Sequence, residues 1–169
     1  MNKNMIFKGR IWLFDDAVDT DQILPGYAMA YPQDELKKYA MAGSAMPDFS
    51  QKVQVGDIIV AGNNFGCGSS REQAPVSLKS AGVSLIIAPT FARIFRRNAI
   101  NIGLAVMQAD LTTLVKTGDI ITVDLKSGSV ELPDGNVVSG HVPGENILAI
   151  LAAGGLINKV RQQLTKQEV

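Results

Sequence analysis

Two adjacent serines and an arginine, Ser69-Ser70-Arg71, end a glycine-rich run that reads Gly62-Asn63-Asn64-Phe65-Gly66-Cys67-Gly68. The arginine brings a planar fork of donors that suits a carboxylate or a phosphate. Beside such a cation a serine alkoxide costs less than it does in water, so either hydroxyl could move a proton or act as a nucleophile. Alone, the triplet would equally serve as a helix N-cap followed by a surface arginine. Its setting decides how much more it can do.

The run lies between a strand and a helix. Asp57-Ile58-Ile59-Val60-Ala61 is a short, β-branched apolar stretch that reads as a buried strand. Val76 to Ala81 suits a helix, and Gly82 stands where a C′ glycine would end it. Pro75 is tolerated only in a first turn, so the helix is expected to start near Arg71 to Gln73. Ser69 with Glu72, and Ser70 with Gln73, both fit a capping box. Free backbone amides in the loop and the positive end of the helix would together make an anion site.

Around this unit the chain alternates strand 84–88, helix 91–101 and strand 104–107, which predicts parallel pairing with right-handed crossovers. An opening strand, or strand pair, covers Met5 to Phe14. A short helix is expected over Asp34 to Ala42, an irregular link over Ser44 to Lys52 and another short helix over Asp110 to Lys116. Ile120 to Leu125, Val130-Glu131-Leu132 and Val137-Val138 read as a small antiparallel meander separated by Ser127-Gly128 and Pro133-Asp134-Gly135-Asn136. Helices follow over Glu145 to Ala152 and Leu156 to Leu164. Periodicity alone therefore gives an α/β class.

Other candidate residues carry less. Asp15, Asp16, Asp19 and Asp21 crowd one loop, but the glycine and terminal glutamate of an EF-hand are missing. Cys67 could have its thiol activated by the helix end and Arg71, yet it also fits as a small residue in a tight loop. With one cysteine and one histidine, the chain by itself can hold neither an iron–sulfur cluster nor a tetrahedral zinc. His141, between Gly140 and a nearby proline, reads as a surface residue. Arg93, Arg96 and Arg97 share one short helix, from which one could reach the anion site. Gly66-x-Gly68 begins a dinucleotide fingerprint, but Arg71 replaces the third glycine and the next strand ends without a ribose-binding acid. No Gly-Lys-Ser/Thr follows to make a phosphate loop.

The 169 residues carry 16 basic and 16 acidic side chains, so the formal net charge is zero. No basic stripe points to nucleic acid, and no apolar run approaches membrane-spanning length. The expectation is one domain spanning residues 1–169, without a signal peptide, in a reducing cytoplasm.

Asn64-Phe65-Gly66-Cys67-Gly68-Ser69-Ser70-Arg71-Glu72 resembles the signature of 3-isopropylmalate dehydratase small subunits, and of the mobile, swivelling domain of the aconitase family. Asp19-Thr20-Asp21-Gln22-Ile23, Phe91-Ala92-Arg93-Ile94-Phe95 and Arg97-Asn98-Ala99-Ile100-Asn101 extend the similarity over roughly residues 5 to 160. The resemblance implies a swivelling, barrel-like β/β/α domain. It implies the small subunit of a two-chain hydro-lyase that removes and re-adds water on a branched hydroxy dicarboxylic acid. Ser69 would supply the base, Arg71 would hold a substrate carboxylate, and Ser70 would complete the anion site. Thr20 and Asp21 would stand at the edge of the cleft. A 4Fe-4S cluster would be the Lewis acid and, given the ligand shortage here, would come with a large subunit.

Tyr27, Ala28 and Met29 are expected at the cleft rim as substrate-contacting residues. In isopropylmalate enzymes that place usually reads Arg-Tyr-Leu. Here the arginine and leucine are missing, which ranks citrate-like and homocitrate-like acids low. The resemblance thus favours 3-isopropylmalate, with 2-methylmalate (citraconate formation), dimethylmalate and homoaconitate as alternatives. A non-catalytic anion-binding subunit is the reading from another class, against which the intact Ser69-Ser70-Arg71 stands.

Overall fold

Short runs of Ile, Val, Leu and Ala can be buried on both faces only inside a covered sheet, and the chain builds one. The computed structural model describes residues 4–167. In chain order they form β1 (Ile6–Leu13), α1 (Thr20–Ile23), two 3-10 helices (Gly26–Ala30 and Gln33–Tyr39), α2 (Phe49–Lys52) and β2 (Ile58–Val60). Then come α3 (Gln73–Ala81), β3 (Leu85–Ala88), α4 (Arg93–Asn101), β4 (Ala105–Gln108) and the meander β5 (Ile120–Asp124), β6 (Ser129–Glu131) and β7 (Val137–Ser139). Helices α5 (Glu145–Ala152) and α6 (Leu156–Gln167) close the described chain. No helix among the described residues is long and apolar enough to cross a membrane.

The seven strands lie in the order β4-β3-β2-β1-β5-β6-β7. Strands β1 to β4 are parallel, as the strand–helix alternation predicts, and β5 to β7 add antiparallel. Strand β1 serves both halves. Its first part pairs with β5 (Ile6 opposite Asp124, Arg10 opposite Ile120), and its last three residues pair with β2 (Ile11 opposite Ile58, Leu13 opposite Val60). The result is a curled, half-barrel α/β sheet. Every residue of β2 and β3 is buried, whereas β5 alternates buried and open positions.

A buried carboxylate ties the start of this sheet together. Asp57, only 4% exposed, accepts from Arg10 Nη2 at 2.8 Å, Trp12 Nε1 at 2.8 Å and the Gln54 amide at 2.9 Å. The three donors satisfy a charge that would otherwise be costly to bury.

Where the structure departs from the sequence reading, local chemistry explains it. The stretch 110–116 holds a single turn at 112–114 and not a helix, because Asp110 accepts from both the amide and the hydroxyl of Thr112 and so offers the backbone a competing bond. The helix expected over 34–42 is a tighter 3-10 helix, and the irregular link over 44–52 ends in the single turn α2. Neither serine caps α3. The residue before the helix is Glu72, already in the right-handed helical region, and no side chain caps it. A capping side chain needs extended backbone at that position, so Ser69 and Ser70 are left free. At the other end Gly82 takes the expected left-handed conformation, φ 114°.

Candidate active site

Side chains at the carboxyl ends of parallel strands face a crevice that no strand crosses, which is where α/β sheets commonly bind ligands. Here the loops after β1, β2 and β3 meet at that end. Single bridges join Asp19 to Cys67 and Phe65 to Phe91. The Gly66 amide donates to Val18 O at 2.7 Å, and the Ala92 amide to Phe65 O at 2.9 Å. Phe65, fully buried, packs edge-on against Phe91 and Phe95 with ring centroids 6.1 and 5.2 Å away. The loops thus share one aromatic floor.

Above that floor opens a cleft of about 530 Å³. Thr20, Gly66, Gly68, Ser69, Ser70 and Arg71 form one wall, and Ala92, Arg93, Ile94, Phe95, Arg97 and Asn98 form the other. The loop wall holds its arginine firmly. Arg71 Nη1 donates to Asp21 Oδ1 at 2.5 Å and to the Leu24 carbonyl at 2.9 Å. The Arg71 side chain is only 16% exposed and Asp21 67%, so the cation is inboard and its counter-ion outboard. Nη2 and Nε keep no acceptor among the described residues and remain available to an incoming anion.

Asp21 is placed by the single turn α1, whose start is fixed by Asp19 Oδ1 accepting from the Gln22 amide at 2.8 Å. Thr20, 3% exposed, donates its amide to Cys67 O at 2.8 Å. A methyl on Gly68 would lie 3.3 Å from Thr20 Oγ1, which measures how closely the serine loop approaches α1. Ser69 and Ser70 are exposed, and their hydroxyls have no hydrogen-bond partner among the described residues. The amides of Gly68, Ser69, Ser70 and Arg71 likewise donate to no backbone acceptor there. Two free hydroxyls and an oriented guanidinium therefore belong to residues that line one space. Such an arrangement can hold a carboxylate and exchange a proton with a group placed beside it.

The structure brings together Ser69, Ser70, Arg71, Thr20 and, through Arg71, Asp21. It separates the rest of the expected set. Ala28 is fully buried in the core and cannot touch a substrate. Tyr27 is 63% exposed with its ring edge-on to Tyr39 at 5.9 Å, Met29 is 38% exposed, and neither lines the cleft. Tyr39 stacks on Tyr31 at 4.8 Å, and the Tyr31 hydroxyl is the main reason its phenol is pushed up to about 12. What reaches Arg71 from this segment is its backbone. Leu24 O accepts the guanidinium, and a methyl on Gly26 would lie 3.7 Å from Nη2.

Cys67 is half-buried, with its carbonyl holding the Thr20 amide. No group of three or more His, Cys, Asp and Glu converges among the described residues, so their donor set does not fit a metal cluster. His141 is exposed, and its amide bonds Gln108 O at 2.8 Å. Of the three arginines on α4, Arg93 and Arg97 face the cleft and Arg96 does not. Sequence reasoning leaves Ile94 and Asn98 unassigned as lining residues. The helical spacing of Arg93, Arg97 and Asn98, one face of α4, is the signal that finds them.

The profile of the aconitase C-terminal domain family matches residues 17–110, the segment that carries all three converging loops. The chain belongs to that family. A methanogen homoaconitase small subunit from Methanothermobacter thermautotrophicus is 52% identical, covering 90% of this chain and 89% of the relative. An isopropylmalate/citramalate isomerase small subunit from Methanocaldococcus jannaschii is 46% identical, over 96% of this chain and 98% of its own. Among solved structures, a 3-isopropylmalate dehydratase from the same organism superposes with TM-score 0.91 at 43% identity, covering 97% and 98% of the two chains. Both relatives are named small subunits. The aconitase-family chain described here covers 89% of the first and 98% of the second.

Proposed function

We propose that this chain, acting as one domain in the cytoplasm, is the small subunit of a hydro-lyase of the 3-isopropylmalate dehydratase type. That enzyme interconverts 3-isopropylmalate and 2-isopropylmalate in leucine biosynthesis by removing and re-adding water. The observation that carries the reading is the loop wall: Arg71, oriented by Asp21 and Leu24 O, beside the unpartnered hydroxyls of Ser69 and Ser70. In this reading the free edge of Arg71 takes a substrate carboxylate as a bidentate pair. Ser69 Oγ, acting as the alkoxide beside the Arg71 cation, takes the carbon-bound proton to become the hydroxyl and gives it back in the reverse direction. Ser70 and the loop amides hold the negative charge that builds on the substrate. Thr20 fixes the loop against α1, and Asp21 keeps the guanidinium plane in register.

One cysteine and one histidine do not fit a 4Fe-4S cluster, so we assign that cofactor to a large subunit whose surface completes the cleft. A homoaconitate-type substrate is the second reading, favoured by the 52% identical relative of that name. The test is anaerobic mixing of the chain with its large subunit and a panel of 3-isopropylmalate, 2-methylmalate, dimethylmalate and homoaconitate. 3-Isopropylmalate is expected to give the highest kcat/KM. Ser69→Ala should lower kcat by about 10²–10⁴-fold, the usual worth of a positioned base. Arg71→Lys should raise KM and lower kcat, since a point charge cannot reproduce the fork. Turnover by the chain alone would overturn the two-subunit reading, and near-wild-type turnover by Ser69→Ala would move the base elsewhere.

A further inference from the structure

A separate cavity of about 270 Å³ lies where β1 and β4 begin, at the opposite end of the parallel strands from the cleft. Met5, Phe7, Ala105 and Leu151, all buried, give it an apolar lining, and Lys79 and Asn158 bring the polar side chains. Lys79 stands in the last turn of α3, and its Nζ donates to the carbonyl of Ile102, the residue that ends α4. Gly103 follows, and a methyl on it would lie 2.6 Å from Gly154 C, so the turn after α4 rests on the turn after α5. Gly154 O in turn accepts from Asn158 Nδ2 at 3.4 Å. These contacts carry the Lys79 ammonium and the Asn158 carboxamide to neighbouring turns of one cavity. No carboxylate pairs with Lys79 among the described residues, and its single acceptor there uses one of three N–H groups. Burial pushes its pKa below the ordinary lysine value, as expected of a cation that has lost water and gained no anion. Met5 adds a second irregularity. It has φ 57°, a region that L side chains seldom adopt, and is held there by the Leu125 amide on its carbonyl at 2.9 Å.

We propose that this cavity is a binding site for a small aliphatic monocarboxylic acid, with the carboxylate on Lys79 Nζ and Asn158 Nδ2 and the chain against Met5, Phe7 and Leu151. An apolar lining with a few convergent polar groups is the usual make-up of a small-molecule site. At about 30 Å³ for each water-sized group, the cavity takes about nine non-hydrogen atoms, an acid of up to about seven carbons. The dicarboxylic acids of the hydro-lyase reading do not suit it, because their second charge would face apolar side chains without a partner. The unbranched Met5 side chain can follow the shape of the ligand chain. The bound anion would restore to Lys79 the stabilisation that burial removes.

The test titrates the full-length chain, labelled with carbon-13 at its methionine methyls, with hexanoate, acetate and 1-hexanol, following the Met5 methyl by NMR. Met5→Leu assigns that signal. Acetate keeps the charge and lacks the chain, whereas hexanol keeps the chain and lacks the charge. Hexanoate should shift the Met5 methyl and bind about 10-fold or more tightly than either comparator. That is the worth of two buried methylene groups against acetate and of a charge-assisted bond against hexanol. Lys79→Met should abolish the preference over hexanol, and Lys79→Arg should keep it. An unshifted Met5 methyl, as binding at the Arg71 cleft alone would leave it, overturns the site. Equal affinity for acetate would mean a surface ion pair, and equal affinity for hexanol an apolar cavity without an anion site; each overturns the proposal. So does a Lys79→Met chain that keeps the preference over hexanol. Lys79 is exposed on α3, so its variants are expected to fold, and the wild-type comparison of three ligands decides the site without them. The titration involves no turnover, so its result stands whether or not the hydro-lyase reading does.

Discussion

Replacing Gly66 with alanine should damage the joint between the serine loop and α4, and the structure sets the size of the effect. Gly66 has φ 82°, and a methyl there would lie 2.2 Å from Phe95 Cγ and 2.4 Å from its Cβ. Ordinary contact begins at 3.4 Å, so loop and ring would have to part by about 1.2 Å. Phe95 cannot swing aside, because it is 3% exposed and packs on the fully buried Phe65. Left-handed backbone costs an alanine about 1–2 kcal/mol. Overpacking a tight site adds about 1–3 kcal/mol, for a total loss of roughly 2–5 kcal/mol. Gly135→Ala is the control, since Gly135 has φ 86° and open space where its methyl would go. It should cost only the backbone share, about 1–2 kcal/mol. Urea unfolding of both variants, compared at a common slope, measures the difference. If Gly66→Ala were no more destabilised than Gly135→Ala, the loop would not be wedged against α4 as described.

Asp21→Asn removes the charge that orients Arg71 but leaves the bond to Leu24 O, so KM in the reconstituted enzyme should rise by about 5- to 20-fold with folding intact. Ala28→Leu should overfill the core, lowering stability by about 1–3 kcal/mol, and leave the ratio of kcat/KM for 3-isopropylmalate over 2-methylmalate unchanged. The Thr112 hydroxyl, and then its amide, hold the Asp110 carboxyl below its ordinary 3.8. The stability this contributes is complete above that ordinary value and fades as pH falls through the depressed one. Thr112→Val should raise the Asp110 titration midpoint, read from carboxyl carbon shifts in NMR.

Much of the fold is legible because local signals and packing agree. Ile58-Ile59-Val60 and Leu85-Ile86-Ile87 are short, β-branched and flanked by loops, and tertiary burial only reinforces what they favour. Gly82 ends its helix for a reason that lies within one residue. The failures occur where a local rule meets a longer-range demand. Ser69-x-x-Glu72 has the composition of a capping box, but the loop enters α3 with Glu72 already helical, and the serines stay uncapped and free. Thr112 and Thr113 sit in a stretch with a helical look, yet Asp110 captures the backbone first. Tyr27-Ala28-Met29 follows the acidic loop closely enough to suggest the rim, but a 3-10 helix turns Ala28 inward. Arg71 and Asp21 are fifty positions apart, and nothing in either neighbourhood announces their pairing.

The two walls of the cleft differ in how far their geometry is settled before any ligand arrives. Arg71 is mostly buried and has two acceptors on one nitrogen, so its free edge points in one direction. Its serine neighbours follow Phe65 to Cys67, which bond to the segment entering α1 and to the segment before α4. Arg93 and Arg97 are exposed, unpaired and long, and nothing in the described chain selects one rotamer for either. Fixed donors serve the group whose charge or proton moves, because misplacement there costs rate. Adaptable donors serve the part that varies between substrates, because one missing methylene in an apolar site is worth only about 1–3 kcal/mol. On the proposed hydro-lyase reading, a cleft with one rigid and one compliant wall would keep the proton-transfer geometry constant while acids with different branches are seated against α4. On the same reading, discrimination among branched hydroxy acids would depend on Ile94 and the arginine stems, and the loop wall would be common to them all.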